Sequence, residues 1–157
     1  MLLRLNRSKK ISVLFATFVI FILSSTPSIA QEKSLYERLG GIKPISVVVY
    51  DFVDRLIANP ILKANPMIKS GRENSPVPYL KFQITTFVCM KTGGPCVYTG
   101  LGMKESHEHL KITSAEWQAM LDEFQLTLDK FSVPEQEQEE LFELFDSTKN
   151  DIVMPGQ

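Results

Sequence analysis

Histidine, cysteine and tryptophan are scarce in this chain, at two, two and one among 157 residues. Two cysteines alone cannot complete a four-ligand zinc site, and the C-x6-C spacing of Cys89 and Cys96 is not that of a zinc knuckle. Positive charge is not in excess either, with 17 Lys and Arg against 18 Asp and Glu. A nucleic-acid partner needs a basic footprint, so that class is excluded. Neither an internal repeat nor a low-complexity tract is present, and no flavin or nicotinamide motif appears.

What is present divides unevenly. Residues 1–30 carry Arg4, Arg7, Lys9 and Lys10 but no acid, followed by the uncharged apolar run ISVLFATFVIFILSS and the small residues Ser28 and Ala30. A basic start, an apolar middle and a small-residue exit describe a secretory signal peptide, with cleavage expected after Ala30. An uncleaved anchor is the alternative, although the run is short for a membrane span. The expected domain is residues 31–157, acidic once the four N-terminal bases are set aside, exported to a periplasmic or secreted location, with no stable membrane insertion. In such an oxidising compartment Cys89 and Cys96 either form a disulfide tying a helix end to the following Gly-Gly turn, or remain two buried thiols.

The remainder reads as helix. Ser34 with Glu37, Thr113 with Glu116 and Ser132 with Glu135 each have capping-box spacing, the last with Pro134 in the first helical turn. Gly40 and Gly41 stop the first helix. The next begins near Pro44, with Val48, Phe52, Arg55 and Leu56 as its stripe and Val49 and Val53 beside it. The stretch NPILKANPMIKSGRENSPVPY holds four prolines and reads as a long loop with one short turn of helix. Helix resumes at Tyr79, with Leu80, Ile84, Phe87 and Val88 on its apolar face. Trp117, Leu121, Phe124 and Leu128 mark the next helix, where Trp117 reads as core rather than cofactor wall. Leu141, Leu144 and Phe145 face inward from the last, whose EQEQEELFE stretch is otherwise a solvated face.

The two histidines are separable by helical geometry. On a helix over 103–111, Met103, His107 and Leu110 share one face, and His109 lies about 200° from His107. His107 therefore points inward and His109 toward water. An inward histidine is either bonded to a carbonyl within the core or a metal ligand. No second ligand shares its face at a recognisable spacing. Haem needs only one ligand from the protein, so a single inward histidine in an apolar pocket suits it.

The stretches SLYERLGG (34–41), VVVYDFVDRL (47–56), TGGPCVYTG (92–100) and MKESHEHLKIT (103–113) together resemble the truncated haemoglobins of group I. The most specific part is GGP-x-x-Y-x-G followed by M-K-x-x-H and I-T. The C-x-x-T-G-G-P-C pattern of Cys89 and Cys96 matches a subset of exported-looking relatives. The resemblance implies an all-α fold, a two-over-two helical sandwich around one haem b (iron protoporphyrin IX). It implies His107 as the ligand to iron, with Phe52, Leu80, Ile84, Phe87, Tyr98 and Met103 lining the haem pocket.

This chain departs from that pattern on the distal side. Val53 stands where many group I members place a tyrosine, and Ile84 stands at a position often held by glutamine. Gln83, beside it, is the nearby residue able to donate, while the helical stripe does not favour an inward Tyr50. The segment after Pro60 is longer than in relatives and lacks the aromatic pair that props the haem. A C-x-x-C-H signature for covalent haem attachment is absent. Lys81 and Lys104 are candidates for the haem propionates. The function implied is reversible ligation of oxygen, nitric oxide or carbon monoxide at ferrous iron, with a separate reductase. The alternatives are a haem enzyme acting on nitric oxide or peroxide, and a haem-free helical interaction module.

Overall fold

The computed structural model describes residues 32–154; the expected signal peptide lies outside the described residues. The elements are α1 (Leu35–Arg38), α2 (Ile42–Ala58), α3 (Pro60–Ala64), α4 (Pro66–Asn74), α5 (Val77–Lys91), α6 (Met103–His107), a 3-10 turn at Glu108–Leu110, α7 (Ser114–Lys130), α8 (Glu135–Asp146) and α9 (Lys149–Ile152). Among the described residues the only bridge of extended type is a parallel one between Ile112 and Val153. None of the described helices is long and apolar enough to cross a membrane.

Two of the three expected capping boxes form. Ser34 with Glu37 starts α1, and Thr113 with Glu116 starts α7. The third does not. Ser132 has a left-handed φ of 51°, so its hydroxyl is not placed to cap, and Pro134 becomes the N-cap of α8 without a side-chain bond. Gly40 and Gly41 follow α1 with φ of 85° and 84°.

The stretch expected to be a long loop is instead mostly helical. Asn59 accepts hydrogen bonds from the N–H groups of Ile61 and Leu62, and Asn65 from those of Met67 and Ile68. Each asparagine is followed by proline at the first helical position, where the missing N–H costs nothing. Thus α3 and α4 each carry a complete start signal. Helix α5 likewise starts before the expected Tyr79, behind Pro76 as its N-cap.

The core joins the α2/α5 pair to the α7/α8 pair, a two-over-two helical sandwich. Its buried members are Ile45, Val49, Phe52 and Val53 from α2, Val88 from α5, Phe124 and Leu128 from α7, and Leu141 from α8. The α2 stripe is therefore shifted from the expected one: Val48 and Leu56 are only partly buried, and Arg55 pairs with Asp51 and Glu123. Phe124 packs against Phe52, Phe142 and Phe145 at centroid separations of 5.1, 5.2 and 4.4 Å. Cys89 and Cys96 are joined in a disulfide with Cα atoms 5.8 Å apart, tying the end of α5 to the turn beyond it.

Candidate functional site

Between α2, α5, α6 and α7 lies a cavity of about 410 Å³. That falls in the roughly 300–1,000 Å³ range of cofactor and ligand sites. Phe52 and Val53 reach it from α2, and Leu80, Gln83, Ile84 and Phe87 from α5. Tyr98, Met103 and His107 close the side formed by the segment after α5. The predicted pocket residues are therefore brought together around one space. Lys81 and Lys104 are not part of its lining. Lys81 pairs with Asp54 at 2.7 Å and stands over the ring of Tyr50, which is itself exposed.

His107 is the chemically loaded side chain. Its Nδ1 lies 2.8 Å from the Met103 carbonyl oxygen and 2.9 Å from Ser106 Oγ. A carbonyl only accepts, so Nδ1 carries the hydrogen and Nε2 keeps its lone pair. No hydrogen bond engages Nε2 among the described residues. Burial pushes the imidazole below its ordinary pKa; the bond to Met103 opposes this and the nearby His109 reinforces it. The ring is thus neutral, oriented, and has one unused donor atom in an apolar space.

The helix carrying it is shorter than periodicity suggests. It ends at His107, and Lys111 takes a left-handed φ of 52°. This turns Ile112 into its bridge with Val153, and Met154 donates to the Ile112 carbonyl at 3.0 Å. His109 falls in the 3-10 turn, exposed as expected yet at the rim of the same cavity.

Tyr98 is a wall rather than a donor into the cavity. Its hydroxyl donates to the Leu101 carbonyl at 2.8 Å, its ring meets Phe87 edge-on at 5.3 Å, and burial raises its pKa. The ring folds over Gly100, where any Cβ would overlap it, which accounts for glycine two residues after the tyrosine.

Two buried polar atoms have no partner among the described residues: Gln83 Oε1 and Trp117 Nε1. Both side chains line the cavity. Trp117 is thus wall as well as core, a correction to its sequence reading. Helical spacing put it on the inward face but could not say whether protein or cavity lay there. Leu62, Ile68 and Arg72 are further lining residues not foreseen, because they belong to the segment read as loop. Met120, Thr148 and Ile152 also escaped notice. No group of three His, Cys, Asp or Glu side chains among the described residues could hold a metal ion unaided.

A lone oriented imidazole, apolar walls and orphaned polar atoms fit a large, flat, mainly apolar cofactor whose metal brings most of its own ligands. Comparison with known proteins agrees. A sequence model of bacterial-like globins matches residues 34–154. The group 1 truncated hemoglobin of Tetrahymena pyriformis is 24% identical over 123 residues, covering 78% of this chain and 97% of that protein. Group 1 truncated hemoglobin GlbN of Mycolicibacterium paratuberculosis is 33% identical over 84 residues, 54% of this chain and 57% of that one. The Fe(III) structure of the Tetrahymena pyriformis protein superposes with a TM-score of 0.67 at 24% identity, over 77% of this chain and 98% of its own. The 2/2 hemoglobin of Synechococcus sp. PCC 7002, in the cyanomet state with covalently attached heme, gives 0.67 at 22% identity over the same shares.

Proposed function

Because this chain belongs to the bacterial-like globin family and is a haem-binding globin, we propose that its cavity takes haem b with His107 Nε2 as the ligand to iron. We propose further that it reversibly binds a diatomic gas on the opposite side. The observation that carries this reading is the His107 ring: Nδ1 is committed to the Met103 carbonyl, leaving Nε2 as the free base. Haem, when bound, supplies an iron centre able to ligate oxygen, nitric oxide or carbon monoxide.

The chain's own part is to bind, orient and exclude water. Met103 and Ser106 hold the imidazole plane. Phe52, Leu80, Phe87 and Met103 provide apolar walls. Val53 and Ile84 offer no hydrogen bond to a gas, which favours carbon monoxide and nitric oxide, neutral ligands that need little such help. Dioxygen gains from a donor as it takes on partial negative charge, and the Nε2 group of Gln83, whose Oε1 is buried without a partner among the described residues, is the donor this reading assigns. Which amide end points inward follows from the partner it meets. The reading extends to location. The Cys89–Cys96 disulfide and the pattern of residues 1–30 support export to an oxidising compartment.

The test adds hemin to the purified protein and records ferric, ferrous and carbon monoxide spectra. A Soret band that moves on reduction and again with carbon monoxide is expected. His107→Ala abolishes the ligated spectrum, whereas His109→Ala leaves it unchanged. A wild-type spectrum no different from free hemin, or equal loss from both substitutions, would refute the reading.

A further inference from the structure

Arg72 belongs to the helical segment between α2 and α5 and lines the cavity. Its neighbours place it firmly. Gly71 lies so close to Leu110 that a Cβ there would stand 2.8 Å from Leu110 Cδ2 and 3.7 Å from His109 Nε2. Asn65, at the start of α4, donates from Nδ2 to the Leu110 carbonyl at 3.1 Å. Helix α4 is thereby fastened onto the 3-10 turn that follows His107.

Among the cavity's lining residues the charged or titratable groups other than tyrosine are Arg72, His107, His109 and Glu116. His107 is neutral and inward. Glu116 is committed to the Thr113 cap, accepting from its N–H and hydroxyl at 2.8 Å each. Arg72 is left as the lining's one permanent cation. Arg38 pairs with Glu137 and Glu140, and Arg55 with Asp51 and Glu123. Arg72 has no carboxylate partner among the described residues. The one hydrogen bond its side chain makes among the described residues, from Nη1 to the Ile57 carbonyl, is long at 3.4 Å.

A guanidinium presents five donors in a planar fork matched to a carboxylate. Haem is an apolar disc with two carboxylates, and a carboxylate entering an apolar cavity must stay hydrated or find a cation. We propose that Arg72 binds a haem propionate, so that α4 clasps the charged edge of the cofactor. This rests on the haem reading above. It replaces Lys81, held by Asp54, and Lys104, which lies outside the lining.

Hemin and its dimethyl ester, which lacks the carboxylates, separate charge pairing from packing. Trp117 is the sole tryptophan and lines the cavity, so quenching of its fluorescence reports binding. Wild type is expected to bind hemin about fivefold more tightly than Arg72→Gln, an amount in keeping with a partly exposed charge-assisted pair. The two proteins bind the ester equally, and wild type prefers hemin to the ester. Arg72→Gln weakening both ligands alike, or neither, would overturn the clasp while leaving the haem reading standing. A wild type that binds hemin and ester equally would do the same without relying on any variant. A wild type that binds neither would remove the haem reading, and the clasp with it.

Discussion

One carbonyl decides the chemistry of His107. The Met103 oxygen takes the Nδ1 hydrogen, fixing both tautomer and ring plane before any cofactor arrives. This residue was legible in the sequence because its spacing from Met103 and Leu110 survives even though the helix stops at His107 itself. Trp117 and Arg72 were harder to place. A helical period gives the direction of a side chain, not what occupies the space it enters, and Arg72 becomes part of a wall only once α4 exists. Gln83 offers the sharpest test at this level, since its buried amide has an unpartnered atom and lines the cavity beside Ile84. In stopped-flow kinetics, Gln83→Leu is expected to speed dioxygen release by about tenfold or more, the weight of one hydrogen bond to a partly charged acceptor. Carbon monoxide release should stay within about twofold, because that ligand carries little charge.

Helix boundaries were readable where a local signal was complete and misread where a neighbour interfered. Ser34, Thr113 and Ser132 all stand three residues before a glutamate. The first two have extended ψ of 156° and 164° and cap their helices. Ser132 is drawn into the left-handed turn that ends α7, so the same spacing produces no cap. The segment after α2 shows the opposite error. Its four prolines suggested loop, yet Pro60 and Pro66 each follow an asparagine and begin a helix. Asn65 has two jobs, capping α4 and reaching Leu110. Asn65→Ala is expected to cost about 1–2 kcal/mol by denaturant titration, the sum of a lost cap and one part-buried hydrogen bond. Asn59→Ala, which removes a cap and the bond to Glu123, serves as a comparison that leaves the Leu110 contact intact.

The assembled fold depends on acid pH through its ion pairs. Asp51 on α2 accepts from Lys130 at the end of α7 and from Arg55, and these hold its carboxyl below the ordinary range despite some burial. In the pH interval between the depressed folded value and the ordinary unfolded value near 3.9, the unfolded chain binds the extra proton. Stability therefore rises with pH across that interval. The contribution is complete above about pH 4–5 and is lost as pH falls through the folded value. Asp51→Asn should lower the melting temperature at neutral pH, and the gap to wild type should close on acidification. A gap that persisted below pH 2 would assign Asp51 a packing role instead. The general architecture was legible at this level because the apolar stripes of α2, α5, α7 and α8 are long enough to state their period. The closing elements, α9 and the Ile112–Val153 bridge, were not, since four helical residues and one paired position give too little pattern to detect.

The paired Asn-Pro starts of α3 and α4 carry a consequence for how such a chain can vary. Each is a self-contained unit with its own cap and its own first residue, so the segment can lengthen or shorten by whole units without resetting the register of α2 or α5. His107 and most of the apolar walls come from elsewhere in the chain, while Leu62, Ile68 and Arg72 come from this segment. Descent with insertion or deletion here would therefore retune which charges meet an incoming molecule while leaving the inner chemistry as it was.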